Sequence, residues 1–220
     1  MALILFSQVN KKVNKDIALK NLNFNIKRNE FVFIYENKRE LIKTISSLLS
    51  GKSSPDKGLI RINNQKKFSP EIKKKIAVIH DDNLFLSDRS IEENFKFILG
   101  LFGKRKKYPD LRIKKLLKIV DLEKYNKYKP GELLAHQYIR ASIARSLLLY
   151  PSIIVMEDPL INIDEVNTQA IYHLLKKINK FNITIVFICS ELNFIKRNKS
   201  EKIIYLNENH YSSEKEGYHV

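Results

Sequence analysis

The sequence predicts an α/β fold with a parallel-sheet core, antiparallel strands at the N-terminus and a helical subdomain between the early and late strands. Three observations carry this. Apolar runs of strand length lie at 31–35, 153–156 and 183–188, as expected for strands covered on both faces. Apolar and polar residues alternate earlier in the chain, where Leu19, Leu22, Phe24 and Ile26 are largely spaced by two. Between these regions, roughly 88–149 repeats its apolar residues at helical spacing. Early strands, a helical middle and late alternating strands indicate an α/β core with a helical insertion.

Taken in order, residues 3–9 and 18–27 are expected as strands, followed by the buried strand 31–35. Leu41, Ile42, Ile45, Leu48 and Leu49 share a helical face, and Gly51 stands where a helix C-cap belongs. The segment SSPDKG at 53–58 is turn chemistry, and strands follow at 59–62 and 76–79. One helical set contains Ile91, Phe95 and Ile98, a second Leu111, Ile113 and Leu116, and a third runs over 137–149. Strands 153–156 and 183–188 flank a helix at about 165–179, and 203–206 is the last strand. Strands 31–35 and 153–156 are expected to be parallel neighbours. The 220 residues read as a single domain, 1–220, with the helical subdomain at about 88–135. The stretch 207–220 is polar and patternless and is expected as a flexible tail.

Composition narrows the function classes. Hydrophobic residues make up 44% of the chain, enough for a full globular core. The formal charge is +16, from 40 basic and 24 acidic residues, which admits nucleic acid, an anionic membrane surface or an acidic partner. Lys, Asn and Ile dominate together and share AT-rich codons, so genomic bias accounts for much of the charge. The basic residues are spread along the chain, with short clusters at 73–75 and 104–107 and no face that interleaves them with aromatics. A membrane-facing role is therefore expected, and no nucleic-acid partner. A single cysteine, Cys189, precludes an internal disulfide and suits a reducing, cytoplasmic compartment. The apolar start is too short for a signal peptide, and no apolar run reaches about 18 residues, so a partner must hold the protein at any membrane it serves. His80, His136 and His173 lack metal-ligand spacing, and no metal site is expected.

The order of elements is that of a phosphate-loop NTPase. A buried strand, loop and helix come first, and a later strand ends in the acids Glu157 and Asp158. Three segments then carry a specific resemblance: SSPDKGLIRINN from residue 53, DRSIEENFKFIL at 88–99 and IRASIARSLLLYPSIIVMEDPLINID at 139–164. Together they resemble the ATP-binding subunits of ABC transporters over roughly residues 3–206, and within that family the FtsE cell-division branch. The resemblance implies a P-loop NTPase-type (ABC ATPase) core, binding of ATP and magnesium, and a polytopic membrane partner of the FtsX type. It further implies a homodimer or a heterodimer with another ABC subunit, on the inner face of the cytoplasmic membrane.

The positions that would carry that chemistry depart from the pattern. The phosphate loop G-x-x-x-x-G-K-[ST] needs glycines for close backbone approach, and a Lys and a hydroxyl for the phosphate oxygens and magnesium. The corresponding window is Glu36, Asn37, Lys38, Arg39, Glu40, Leu41, Ile42 and Lys43. Side chains crowd the space for phosphate, and Glu36 and Glu40 repel it. Lys43 and Thr44 imitate the Lys-hydroxyl pair one residue late, which on a helix is about 100° of rotation away. The signature loop corresponds to Leu133, Leu134, Ala135, His136 and Gln137, without its serine and glycines. The Q-loop position is Asp81, the switch-histidine position Ser190 and the adenine-stacking position falls near Val13. Glu157 occupies the Walker B aspartate position and Asp158 the catalytic-glutamate position, an inverted order. No catalytic residue is therefore assigned with the family's role, and neither ATP nor magnesium is expected to bind.

The resemblance also implies a groove beside the helical subdomain that receives a short helix of the membrane partner. Leu84, Phe85 and Leu86 are read as its apolar contacts. The functional expectation is a degenerate pseudo-ATPase of FtsE type that docks on an FtsX-like membrane protein. The alternatives are a weakly active ATPase subunit of a lipoprotein-releasing or macrolide-exporter system, and a basic nucleic-acid-binding protein.

Overall fold

The computed structural model describes residues 2–15, 18–65, 69–80, 85–103, 109–160, 163–198, 201–206 and 213–214. Strand β1 (Ala2–Lys12) pairs antiparallel with both β2 (Ala18–Lys27) and β4 (Lys57–Ile62), giving a three-stranded sheet in the order β2-β1-β4. A six-stranded sheet runs β5 (Ile76–Ile79), β6 (Ile153–Glu157), β7 (Thr184–Cys189), β3 (Phe31–Tyr35), β8 (Lys202–Tyr205) and β9 (Ser213–Glu214). Its first five strands are parallel and β9 pairs antiparallel with β8. This is the expected α/β class, with antiparallel strands beside a parallel core.

One expectation is overturned. Strands β3 and β6 share the sheet but are not neighbours, because β7 lies between them and pairs in register with both. All six residues of β7 are buried, which is what the innermost strand requires. The pleat alternates its side chains between two cores. Val32, Ile34, Val155 and Val186 face one side, where they meet Ile42 and Ile45 of α1 (Arg39–Leu49). Phe33, Met156 and Phe187 face the other, against Phe95 of α3 (Ile91–Leu101), Leu117 of α4 (Pro109–Ile119) and Leu175 of α6 (Glu165–Asn179).

The helical segment after β5 consists of α3, α4 and α5 (Ala135–Leu147), with two short 3-10 turns between α4 and α5. Two brief helices escape sequence periodicity, α2 (Pro70–Lys73) and α7 (Leu192–Arg197). Most of the stretch 207–220 read as a tail lies outside the described residues. Among those described, no helix is long and apolar enough to cross a membrane.

Several residues that carry the family pattern serve the fold itself. Asp56 accepts from the Lys11 ammonium and the Lys12 amide, both at 2.8 Å, tying its turn to β1. Gly58 has φ +83, and a Cβ there would lie 2.2 Å from the Gln8 carbonyl oxygen, so only glycine fits. Asp164 caps α6 by accepting from the Asn167 amide at 2.9 Å. Arg140 donates to the Val120 carbonyl and to Asp121, closing the end of α4.

Candidate functional site

In open α/β sheets the carboxyl ends of the parallel strands are where ligands are bound. Strands β3, β6 and β7 end level here, with Tyr35 opposite Cys189 and Glu157 opposite Ile188. The next residue of each strand is stitched to the others. The Glu36 amide donates to the Cys189 carbonyl at 3.3 Å, and the Asp158 amide to the Ile188 carbonyl at 2.9 Å. Ser190 donates its amide to Asp158 at 3.1 Å, and its hydroxyl lies 3.0 and 2.9 Å from the two carboxylate oxygens. The fold thus brings together three positions named from sequence: the head of the phosphate-loop window, the catalytic-glutamate position and the switch-histidine position.

The strand–helix junction is closed by its own side chain. Glu36 is only 4% exposed. Its Oε1 accepts from the backbone amides of Asn37 and Lys38, each at 2.9 Å, just ahead of the first turn of α1. Amides at such a junction are the groups that would cradle a phosphate, and the helix dipole favours negative charge there. A carboxylate of the chain fills that role. Sequence reasoning treats Glu36 as a repulsive intrusion; the structure makes it an internal acceptor. Glu36 lies ahead of the N-cap Lys38, so the usual helix-start cues do not announce it.

Further along the window, Arg39 and Glu40 are exposed, while Leu41 and Ile42 are buried in the core shared with β3 and β6. Ile42, at the lysine position, therefore points away from any ligand. Lys43 is exposed, and the Thr44 hydroxyl donates back to the Glu40 carbonyl at 2.7 Å, so the displaced Lys-hydroxyl pair does not converge on the junction. Asp158 has φ +43, and both its oxygens face the Ser190 hydroxyl. Glu157 borders a cavity of about 420 Å³ with His80, Tyr138 and Leu133. The donor set does not match a magnesium-triphosphate group: the cradle is filled by a carboxylate, the lysine position holds the buried Ile42 and one strand-end acid is engaged by a serine.

In the signature-loop window, Leu134 and Ala135 are exposed, Leu133 packs on the core and His136 is half-buried. Gln137 is buried, and its side-chain oxygen accepts from the Leu134 amide at 2.9 Å, which caps α5. Its retention is thus explained by helix capping. Cys189 is buried beneath this edge, and burial pushes its thiol up to about 12, reinforced by the charges of Asp158 and Glu191. The Q-loop position, Asp81, lies outside the described residues.

A groove of about 540 Å³ runs between β5, α3 and α5, bordered by Ile76, Phe97, Leu101 and Arg145. Leu84 lies outside the described residues, and Leu86 sits on the rim. Phe85, read from sequence as an apolar contact of this groove, lines it. It is 8% exposed, stacked on Phe95 at 6.4 Å and edge-on to Tyr138 at 5.2 Å, so it belongs to the core beneath the groove. The exposed apolar side chains along it are Leu86, Phe97, Leu101 and Phe102. Asn94 fixes the rim: its amide group accepts from the Leu86 amide at 2.7 Å and donates to the Leu86, Arg89 and Ser90 carbonyls.

Comparison with known proteins agrees with this fold. The ABC transporter family model matches residues 40–161. The methionine import ATP-binding protein MetN of Clostridium tetani is 27% identical over 201 residues, covering 88% of this chain and 63% of that protein. The chain thus spans under two thirds of that relative's length. The cell division ATP-binding protein FtsE of Haemophilus influenzae is 24% identical over 203 residues, covering 89% of this chain and 93% of that protein. Among solved structures, cbiO1 of Clostridium perfringens superposes with a TM-score of 0.84 at 20% identity, over 96% of this chain and 87% of that one. The dimeric bacterial ABC transporter cassette MJ0796 gives 0.78 at 26% identity, over 96% and 98%.

Proposed function

The chain belongs to the ABC transporter family, and from that premise we propose that it is an ATP-binding-type subunit of the FtsE kind acting as a pseudo-ATPase. Its work is to dock on a polytopic membrane protein of the FtsX kind in cell division, from the inner face of the cytoplasmic membrane, alone or paired with another ABC subunit. The observation that carries the pseudo-ATPase reading is Glu36, whose buried carboxylate takes the amides a phosphate would need. Ejecting it would strip the carboxylate of two charge-assisted hydrogen bonds, each worth about 1.5–3 kcal/mol. The loss of a lysine and of a free strand-end acid adds to that deficit. Two or three such losses move a micromolar affinity past millimolar. Titration calorimetry with magnesium-ATP is expected to give no binding below about 1 mM. A low-micromolar dissociation constant would favour a weak ATPase instead, a reading supported by the two acids that persist at the end of β6.

Docking follows the groove between β5, α3 and α5. Phe97 and Leu101 are exposed along it, and apolar anchors of this kind contribute about 2 kcal/mol or more to an interface. In cells co-expressing an FtsX-type protein, the chain is expected in the membrane fraction, and Phe97→Asp with Leu101→Asp is expected to release it while leaving its melting temperature unchanged. A wild-type chain found wholly in the soluble fraction, or a double variant that stays fully bound, would reject the docking role.

A further inference from the structure

A second groove, of about 610 Å³, lies away from the strand ends, between α4, the 147–152 connection and the segment where α6 leads into β7. Its volume falls within the roughly 300–1,000 Å³ of small-molecule sites. Leu111, Ile119, Tyr150 and Phe181 border it and remain exposed, Tyr150 at 63% and Phe181 at 74%. Four large apolar side chains gathered on one rim are unusual on a soluble surface and mark a binding face. Among the described residues the charged members of the lining are both cations, Arg112 and Lys115, one turn apart on α4, with no acid beside them.

Arg112 is the second, independent sign. One terminal nitrogen donates to the Leu147 carbonyl at 2.8 Å, and the guanidinium lies 3.4 Å from the centre of the Tyr150 ring. Its Nε is buried without a hydrogen-bond partner among the described residues. Arg112 is half-buried, and that burial lowers its pKa. Among the described residues no carboxylate forms an ion pair with it, so a ligand anion would restore what burial removes. Two copies of this face would bring Arg112 and Lys115 against their own kind, which disfavours self-association.

We propose that this groove binds a free anionic amphiphile, a single acyl chain ending in a carboxylate, with the chain along Leu111, Ile119 and Phe181 and the carboxylate between Arg112 and Lys115. The test is titration of the purified full-length chain with decanoate and, separately, decanol, both below their aggregation limits. Decanoate is expected to bind about tenfold more tightly than decanol, the factor of one charge-assisted contact. Lys115→Glu should remove that preference, and Ile119→Asp should weaken both ligands, with melting temperatures confirming that each variant folds. Phe97→Asp in the other groove should change neither affinity. Equal affinities for decanoate and decanol, or indifference to both rim variants, would overturn the proposal. So would co-sedimentation with anionic phospholipid vesicles that Lys115→Glu abolishes while free decanoate fails to bind, since the face would then contact a membrane. Concentration-dependent dimerisation lost in Phe181→Asp would assign the groove to a second copy and equally reject the ligand. None of these outcomes depends on nucleotide binding or on the membrane-partner groove.

Discussion

Glu36 and Cys189 sit at the ends of neighbouring strands, joined by a backbone hydrogen bond, and show how single residues define this edge of the sheet. Replacing Glu36 with alanine leaves the Asn37 and Lys38 amides without their acceptor at the head of α1, a loss of about 1–3 kcal/mol that water reaching these exposed residues partly offsets. The freed amides then resemble an anion site. Millimolar inorganic phosphate is accordingly expected to raise the melting temperature of Glu36→Ala and to leave the wild type unchanged; equal protection of both proteins would show that Glu36 does not occupy the cradle. Cys189 makes a pH prediction. Burial raises its thiol from 9.0 to about 12, so the unfolded chain gives up this proton first as pH rises. The folded-state advantage is complete below about pH 9 and is lost progressively between there and about pH 12, at a slope of at most about 1.4 kcal/mol per pH unit. Denaturation midpoints across that window should therefore fall less steeply for Cys189→Ala than for the wild type, and parallel slopes would refute the assignment.

Among the elements, α3 is the clearest case of local sequence dictating structure. Ser90 and Glu93 form a reciprocal cap: the Glu93 amide donates to the Ser90 hydroxyl oxygen at 3.3 Å and the Ser90 amide to the Glu93 carboxylate at 2.8 Å. Ser90→Ala is expected to cost about 1 kcal/mol. Asn94→Ala should cost more, because the buried Asn94 side chain bonds four backbone groups of the 86–90 rim. Thermal unfolding of the two variants checks the order, and a smaller effect at Asn94 would contradict it. Elements of this kind were legible because periodicity and caps are local: Ile91, Phe95 and Ile98 announce α3, and the apolar run 183–188 announces β7. What was not legible is tertiary. The run 183–188 marked a buried strand, yet nothing local placed it between β3 and β6. That Phe85 lines its groove from the core side depends on Phe95 and Tyr138, ten and fifty-three positions away in sequence. The closure of the junction by Glu36 turned on where its carboxylate points, and Asp158 met Ser190 only because β6 and β7 are neighbours. The four-residue α2 is too short to show a period; only its Ser69 cap and Pro70 announce it.

At the scale of the molecule, the question is whether the helical segment and the sheets stand as one body by their own packing. Phe85 and Phe95, at the start of the helical segment, belong to the same buried cluster as Phe33, Met156 and Phe187 of the central sheet. The opposite face of those strands carries Ile34, Val155 and Val186 into a second cluster with α1 and the antiparallel sheet. Each central strand therefore serves both clusters through alternate residues, and neither can melt without exposing the other's strands. Ligand contacts are not needed for this coupling, since burial of apolar surface supplies the dominant favourable term in folding. A single cooperative transition is expected in urea, with far-ultraviolet circular dichroism and the fluorescence of the 10 tyrosines giving coincident curves. Phe95→Ala, which deletes a fully buried ring at the junction, is expected to cost about 3–5 kcal/mol and to shift both curves together. Two separated transitions, of which only one responds to Phe95→Ala, would mean that the helical segment unfolds independently. In that case the groove between β5, α3 and α5 would lack a fixed shape without a partner, and docking there would have to order it.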